Sequence, residues 1–257
     1  MRMRPTFRVL LAGLVAGLLP ATAARAASGA EAPIRESWPH QGVFGTFDRA
    51  ALQRGFQVYK EVCSACHGTR YLAFRNLEAI GFSEDEVKAI AAEYTVLDGP
   101  NDEGEMFERP ARPSDRKPLP YANEQAARAA HNGALPPDLS LIVKARAGGE
   151  NYVYSFLVGY EEPPAGVTVP DGMYYNKYFP GHMVAMPAIL QPDGVTYADG
   201  TTASISQQAR DVVQFLAWLA EPRLEERKKT GIKALIFLIV LTGLLYAYKR
   251  RVWADIH

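Results

Sequence analysis

The sequence predicts a mainly α-helical exported domain with ordered loops, followed by one C-terminal transmembrane helix. Three observations lead there. Apolar residues recur at helical spacing in several short segments with capping residues, Pro- and Gly-rich stretches separate those segments, and an apolar run of 18 residues lies near the C-terminus. The chain has 257 residues, of which 48% are apolar, with 21 Gly and 18 Pro. That is enough apolar material for one globular domain and excludes a disordered or collagen-like chain.

Charge divides the chain. The formal net charge is zero, which argues against a nucleic-acid binder. Residues 1–27 carry four Arg and no acid, residues 28–221 carry 16 basic and 25 acidic groups, and residues 222–257 carry 8 basic and 3 acidic groups. The first segment runs from Arg2, Arg4 and Arg8 into an apolar stretch, Val9 to Leu19, too short to span a bilayer. Ala-x-Ala sites follow at 21–23 and 24–26, so residues 1–27 read as a cleaved secretory signal. Residues 28–221 are then the exported domain.

The first helix of that domain starts after Asp48, a capping residue, and its stripe Leu52, Phe56, Tyr59, Val62 keeps helical spacing. Gly55 lies on it without a side chain, which allows a close helix crossing; a tolerated mid-helix Gly is the plain alternative. Ser83-Glu-Asp-Glu86 is a capping box for a helix through Val87, Ile90 and Tyr94. Asn123 to Asn132 reads as another helix, closed by Gly133, and Asp138 is placed to cap a third through Leu139, Ile142 and Val143. Gly149 to Tyr160 and Ser206 to Ala220 complete the set. The stretches 98–121 and 161–181 are too long for plain connectors.

The charged residues 222–230 form a linker to the apolar run Gly231 to Tyr248, in which only Lys233 is charged and can snorkel. Residues 249–257 are a short basic cytoplasmic tail containing Trp253. Lysines flank the run on both sides, so its orientation follows from the export signal rather than from positive charge.

The chemistry sits just after the first helix. The chain has only two cysteines, Cys63 and Cys66, and His67 follows at once. Cys-x-x-Cys-His is the attachment signature of c-type haem: two thiols three residues apart reach the two vinyl groups of one porphyrin, and the adjacent imidazole comes under the iron. A thioredoxin-like dithiol is disfavoured by the missing preceding strand and by the histidine, and zinc by the lack of a second ligand pair. One haem c per chain is expected.

A low-spin electron carrier needs a sixth ligand. The exported domain offers Met106, Met173, Met183 and Met186, with His40, His131 and His182. The segment 178–190 concentrates the candidates; Met186, fixed by Pro187, leads, with Met183 and His182 as rivals and an open iron site as a further alternative. Two acidic groups, one from Asp98 to Glu108 and one at Glu161-Glu162, read either as solvated loops or as docking sites for a basic partner.

With these residues in hand the chain resembles the cytochrome c1 family, the haem c subunits of ubiquinol:cytochrome c oxidoreductase (cytochrome bc1) complexes, in a bacterial form. The likeness rests on blocks in order along nearly the whole mature chain: Trp38-Pro-His-x-Gly42, Arg54-Gly-Phe-Gln-Val-Tyr-Lys60, Asp98-Gly-Pro-Asn101 through Gly104-Glu-Met-Phe107, Asn132-Gly-Ala-Leu-Pro-Pro-Asp-Leu-Ser140, Tyr178-Phe-Pro-Gly181 and Tyr246-Ala-Tyr-Lys-Arg250. The resemblance implies a class I cytochrome c-like fold with inserted loops, axial ligands His67 and Met186, and Gly55 and Tyr59 at the crossing of the first and last helices. It implies Arg146 and Tyr152 near a haem propionate and Pro136 at the haem edge. The disulfide that some members carry is absent, since no further cysteine exists. The implied function is transfer of single electrons from a Rieske iron-sulfur protein to a soluble or tethered cytochrome c. The chain would not be an enzyme by itself; it would work beside cytochrome b in a dimeric membrane complex, and the resemblance places residues 28–221 on the periplasmic side of a bacterial cell membrane. A haem enzyme with an open iron site and an exported dithiol oxidoreductase are the rival functions.

Overall fold

The structure, a computed structural model, describes residues 29–254. The signal segment expected at residues 1–27 lies outside the described residues.

The domain is built on two helices that cross in its centre. Helix α1 (Arg49–Val58) begins where the Asp48 carboxylate accepts from the N–H groups of Ala50 and Ala51. Its buried residues Leu52, Phe56 and Val58 face the core. The helix does not end at Val58 but widens into a π turn, Tyr59–Cys63, closed by the Ser64 N–H donating to the Tyr59 carbonyl at 2.8 Å.

Four short elements follow. A 3₁₀ helix, Phe74–Ile80, stops at Gly81, whose φ of 105° is open to glycine alone at little cost. Helix α2 (Glu84–Ala92) has the expected capping box, with Ser83 and Glu86 satisfying one another's backbone N–H groups. Strands β1 (Thr95–Asp98) and β2 (Phe107–Pro110) pair antiparallel, Thr95 opposite Pro110 and Asp98 opposite Phe107. The first of the two overlong stretches is therefore partly this hairpin, held at its base by Arg109 between Asp98 and Asp115.

Helices α3 (Glu124–Ala130), α4 (Ile142–Ala145) and α5 (Gly149–Val158) come next. Two expectations need correction. Helix α3 ends at Ala130, because Asn132 and Gly133 take positive φ and turn the chain. Asp138 does not cap α4: one carboxylate oxygen accepts from the Ser140 N–H and the other from the Arg70 N–H, both at 2.9 Å, so it ties two loops together instead. The two-residue strands β3 (Tyr174–Tyr175) and β4 (Met183–Val184) pin the second long stretch.

Helix α6 (Ile205–Ala220), capped by Ser204, is buried along most of its length and packs on α1, α4 and α5. Helix α7 (Leu224–Val252) leaves the domain and has no buried residue. At 1.5 Å per residue its 29 residues extend about 43 Å, enough to cross a bilayer including both headgroup layers. The expected linker at 222–230 is thus helical from Leu224 onward and continuous with the apolar run. Its first turns are fastened to the domain: Glu225 accepts from the Phe47 N–H at 2.8 Å and pairs with Arg49, and Lys228 donates to the carbonyls of His40 and Gly45.

Candidate haem-binding site

The π turn at the end of α1 presents the motif. After Cys63 the chain folds into a tight turn, with the N–H groups of Cys66 and His67 both donating to the Cys63 carbonyl at 3.2 and 3.0 Å. Tyr59 braces it from behind. Its hydroxyl donates to the His67 carbonyl at 3.1 Å and accepts from the Thr69 hydroxyl at 2.9 Å, and its ring stacks on Phe215 of α6 at 5.8 Å between centroids. Lys117 is buried with its ammonium over the rings of Tyr59 and Tyr94, a desolvated cation whose pKa burial pushes down.

Cys63, Cys66 and His67 open onto a cavity of about 320 Å³. The chain that encloses it returns from three distant places: the loop 134–139 with Pro136, helix α5 with Tyr152 and Phe156, and the loop 184–187 with Met186. Arg146 and Leu216 also border it. All seven residues singled out in the sequence, Cys63, Cys66, His67, Pro136, Arg146, Tyr152 and Met186, therefore meet at one cavity although they span 124 positions of sequence. The rival methionine and histidine do not border it. Met183 is held in the β3–β4 pairing, and the His182 ring stacks on Tyr175 at 5.2 Å. His131 does border the cavity, with its Nε2 2.8 Å from the Tyr121 hydroxyl.

The electrostatics of the histidine fit a metal ligand. His67 Nδ1 lies 2.8 Å from the carbonyl oxygen of Pro137. A carbonyl can only accept, so the proton sits on Nδ1 and the lone pair is left on Nε2. Burial holds the imidazole pKa below its ordinary value, which keeps that lone pair free. Met186 is fixed through its backbone, whose carbonyl accepts from the Tyr160 hydroxyl at 2.9 Å. Sequence reasoning missed Tyr160 and the Pro137 carbonyl. No local pattern marks either one, because each contact closes a loop of 26 or 70 residues.

The cavity walls are mostly aliphatic and aromatic, with two thiols at one side and the cation Arg146 at an exposed position. That donor set fits haem c: thiols for thioether links, a neutral imidazole and a thioether as axial ligands, and a cation for the carboxylates. It fits dithiol exchange poorly. Burial, reinforced by Cys66, pushes the Cys63 thiol up to about 12, whereas a reactive thiol needs a lowered pKa. Among the described residues no three His, Cys, Asp or Glu side chains are grouped to hold a bare metal ion.

Comparison with known proteins agrees. Residues 38–256 match the model of the Cytochrome C1 family. The chain is 50% identical to "Cytochrome c1 2, heme protein, mitochondrial" of Arabidopsis thaliana over 94% of its own length and 78% of that protein. It is 52% identical to "Cytochrome b-c1 complex catalytic subunit, mitochondrial" of Candida albicans, over 87% of this chain and 78% of the relative. It is 51% identical to "Cytochrome b/c1" of Bradyrhizobium diazoefficiens over 91% of its length, but spans only 37% of that longer protein. A family match over nearly the whole described chain, joined to relatives at this identity and to the C-x-x-C-H cavity, establishes that the chain belongs to the cytochrome c1 family, whose cofactor is haem c.

Proposed function

We propose that the chain is the haem c subunit of a cytochrome bc1-type ubiquinol:cytochrome c oxidoreductase, taking one electron from a Rieske iron-sulfur protein and giving it to a soluble or membrane-tethered cytochrome c. The observation that carries this reading is the meeting of Cys63, Cys66, His67 and Met186 at one apolar cavity. Haem, when bound, supplies the one-electron couple. The protein supplies everything that holds and tunes it.

In this reading Cys63 and Cys66 form the two thioether links. His67 would hold the iron through Nε2, oriented by the Pro137 carbonyl, and Met186, steadied by Tyr160, would supply the second protein ligand from the loop 184–187. A thioether in the sixth position favours a higher potential than a second imidazole. Arg146 and Tyr152 receive a propionate, and Pro136 covers the haem edge. If His67 and Met186 both held the iron, no site would remain open for oxygen or peroxide chemistry, and the chain would transfer electrons without being an enzyme on its own.

Partners follow from the relatives and from charge. The Bradyrhizobium relative carries the name "Cytochrome b/c1" on one polypeptide, which supports association with cytochrome b, and the Candida relative is named for a b-c1 complex. The complex is read as dimeric. The chain sits in a bacterial cell membrane by helix α7, with the haem domain periplasmic and residues 249–257 in the cytoplasm. Of the acidic groups, Asp98 is paired with Arg109 and Glu161 with Lys177; Asp102, Glu103, Glu105 and Glu108 on the exposed hairpin, and Glu162, are in no ion pair among the described residues, and the hairpin holds the larger group of charges to attract a basic cytochrome c.

A redox titration of the membrane-bound protein with its optical spectrum tests the reading. A single one-electron wave from a six-coordinate haem c, with a spectrum indifferent to carbon monoxide, is expected. Carbon monoxide binding to the ferrous form would replace it with a haem enzyme, and absence of haem absorbance with a dithiol protein.

A further inference from the structure

The loop Gln41–Thr46 carries the most exposed aromatic of the haem domain. Phe44 is 83% exposed and Val43 63% exposed. The tip does not stand on a loose segment. The Gln41 N–H donates to the Trp38 carbonyl at 3.0 Å and the Thr46 N–H to the Pro39 carbonyl at 3.1 Å, closing the loop at its base. Trp38, His40 and Phe47 beneath it are buried, with the His40 ring stacked on Phe47 at 4.7 Å and the Trp38 indole N–H donating to Asn151 at 2.8 Å.

What lies beside this loop is the stem of helix α7. Phe47 and Arg49 bond to Glu225, while one turn further along the helix Lys228 donates to the carbonyls of Gly45 at 3.0 Å and His40 at 2.6 Å. Followed back from Arg49 to Gly45, the chain therefore descends along the helix toward the apolar run, and Phe44 and Val43 come next. Lys228 precedes Gly231, where the apolar run starts, by three residues, or about 4.5 Å along the axis. The run of 18 residues is about 27 Å long, close to the hydrocarbon thickness, so its start marks the edge of the hydrocarbon and Lys228 lies in the headgroup layer, which is about 5–8 Å thick. A loop bonded to Lys228 lies at that same level.

We propose that Val43 and Phe44 form an interfacial foot: they insert among the lipid headgroups beside the emerging helix, giving the haem domain a second point of contact with the membrane. The inference rests on the reading of residues 231–248 as a membrane span. Lipid is the occupant that the geometry favours. Two side chains flanked by Gln41, Gly42 and Thr46, all exposed, offer far less than the roughly 800 Å² per partner of a stable protein interface, while an aromatic ring at headgroup depth suits a bilayer. The consequence is mechanical. A single helix could swivel; a helix clamped through Glu225 and Lys228 and footed by Phe44 holds the haem domain at one tilt and height above the membrane.

The test uses the full-length holoprotein in phosphatidylcholine and phosphatidylglycerol vesicles. In the proposed reading Cys63 and Cys66 are taken up by thioether links in the holoprotein and the chain has no other cysteine, so Phe44→Cys supplies the one free thiol for a nitroxide label, and Met106→Cys on the β1–β2 hairpin, 53% exposed, supplies the aqueous control. With the haem reduced and diamagnetic, the label at 44 is expected to collide with dissolved oxygen more than with a water-soluble nickel chelate, its chelate collision rate falling several-fold below that at 106. Equal chelate access at 44 and 106, in vesicles with which the protein co-floats, would overturn the foot. Protection at 44 that appears only after assembly with the other subunits would overturn it in favour of a protein contact. If the unmodified full-length protein failed to co-float with vesicles, the membrane-span reading itself would fall, a result distinct from either.

Discussion

A Cβ atom built on Gly55 would lie 2.1 Å from the carbonyl oxygen of Asp211 and 2.8 Å from the Cβ of Phe215. The backbones of α1 and α6 thus touch at this point, and the crossing sets the angle at which α1 delivers Cys63 to the cavity. Around it Arg54 donates to the fully buried Asp211 at 2.9 and 3.1 Å, and to Asp199 at 2.8 Å, so the contact is fastened by an ion pair as well as by apolar packing.

Gly55→Ala must push the helices apart, because the obstructing atom is backbone and cannot rotate away. A loss of about 2–3 kcal/mol is expected, by analogy with overpacked cores, or about 5–10 °C in the thermal midpoint of the holoprotein. A midpoint within 1–2 °C (roughly the shift of a neutral surface change) would show that the crossing is more compliant than its geometry implies.

Met186 borders the cavity and Met183 does not. Met186→His should keep a six-coordinate haem at a lower potential, and Met186→Leu should open the site to carbon monoxide; Met183→Leu should alter neither. A wild-type potential in Met186→Leu, measured by optical redox titration, would move the ligand role elsewhere, with His131 the next residue to replace.

The Asp199 carboxylate is held down to about 2, chiefly by hydrogen bonding from Thr201 and next by Arg54. Its folded pKa lies below its unfolded value, so its contribution to stability is present in full above about pH 4 and is lost as pH falls toward 2. Asp199→Asn should therefore be less stable than the wild type near pH 5, and the gap should narrow toward about pH 2–3. Denaturant midpoints of the two proteins at each pH check this; a gap independent of pH would sink it.

The clamp on α7 makes the end point of a soluble fragment matter. A chain ending after Thr230 keeps the Glu225 and Lys228 contacts, whereas one ending after Ala220 loses them. Charge-assisted hydrogen bonds of this kind contribute about 1.5–3 kcal/mol each where desolvated and less where exposed. The longer fragment should melt higher by about 4–8 °C. Equal melting temperatures would mean that the contacts do not survive release from the membrane.

Electron delivery to a basic soluble cytochrome should slow steeply as ionic strength rises through about 0.1 M, where the Debye length is about 10 Å. Replacing Asp102, Glu103 and Glu105 by their amides should lower the association rate several-fold while leaving reduction of this haem by the Rieske donor nearly unchanged. Stopped-flow association rates that ignore salt would assign docking to an apolar contact or a tether.

Local signals settled whatever a few neighbouring residues can settle alone. The Asp48 cap, the Ser83-Glu86 box and the C-x-x-C-H turn each close hydrogen bonds over two to four positions, and the apolar run at 231–248 needs only length and composition, so sequence spells each of them out. Asp138 shows where such reading stops: its local partner Ser140 is visible in the sequence, but the competing Arg70 N–H lies 68 positions away, and that bond helps hold the carboxylate away from helix α4. The clamp of Lys228 on the 40–45 carbonyls, the Tyr160 bond behind Met186 and the choice of which methionine reaches the cavity were likewise decided by tertiary packing. A hydrogen bond across 26 to 188 positions has no sequence period to announce it; it exists only where tertiary packing brings the two segments within 3 Å.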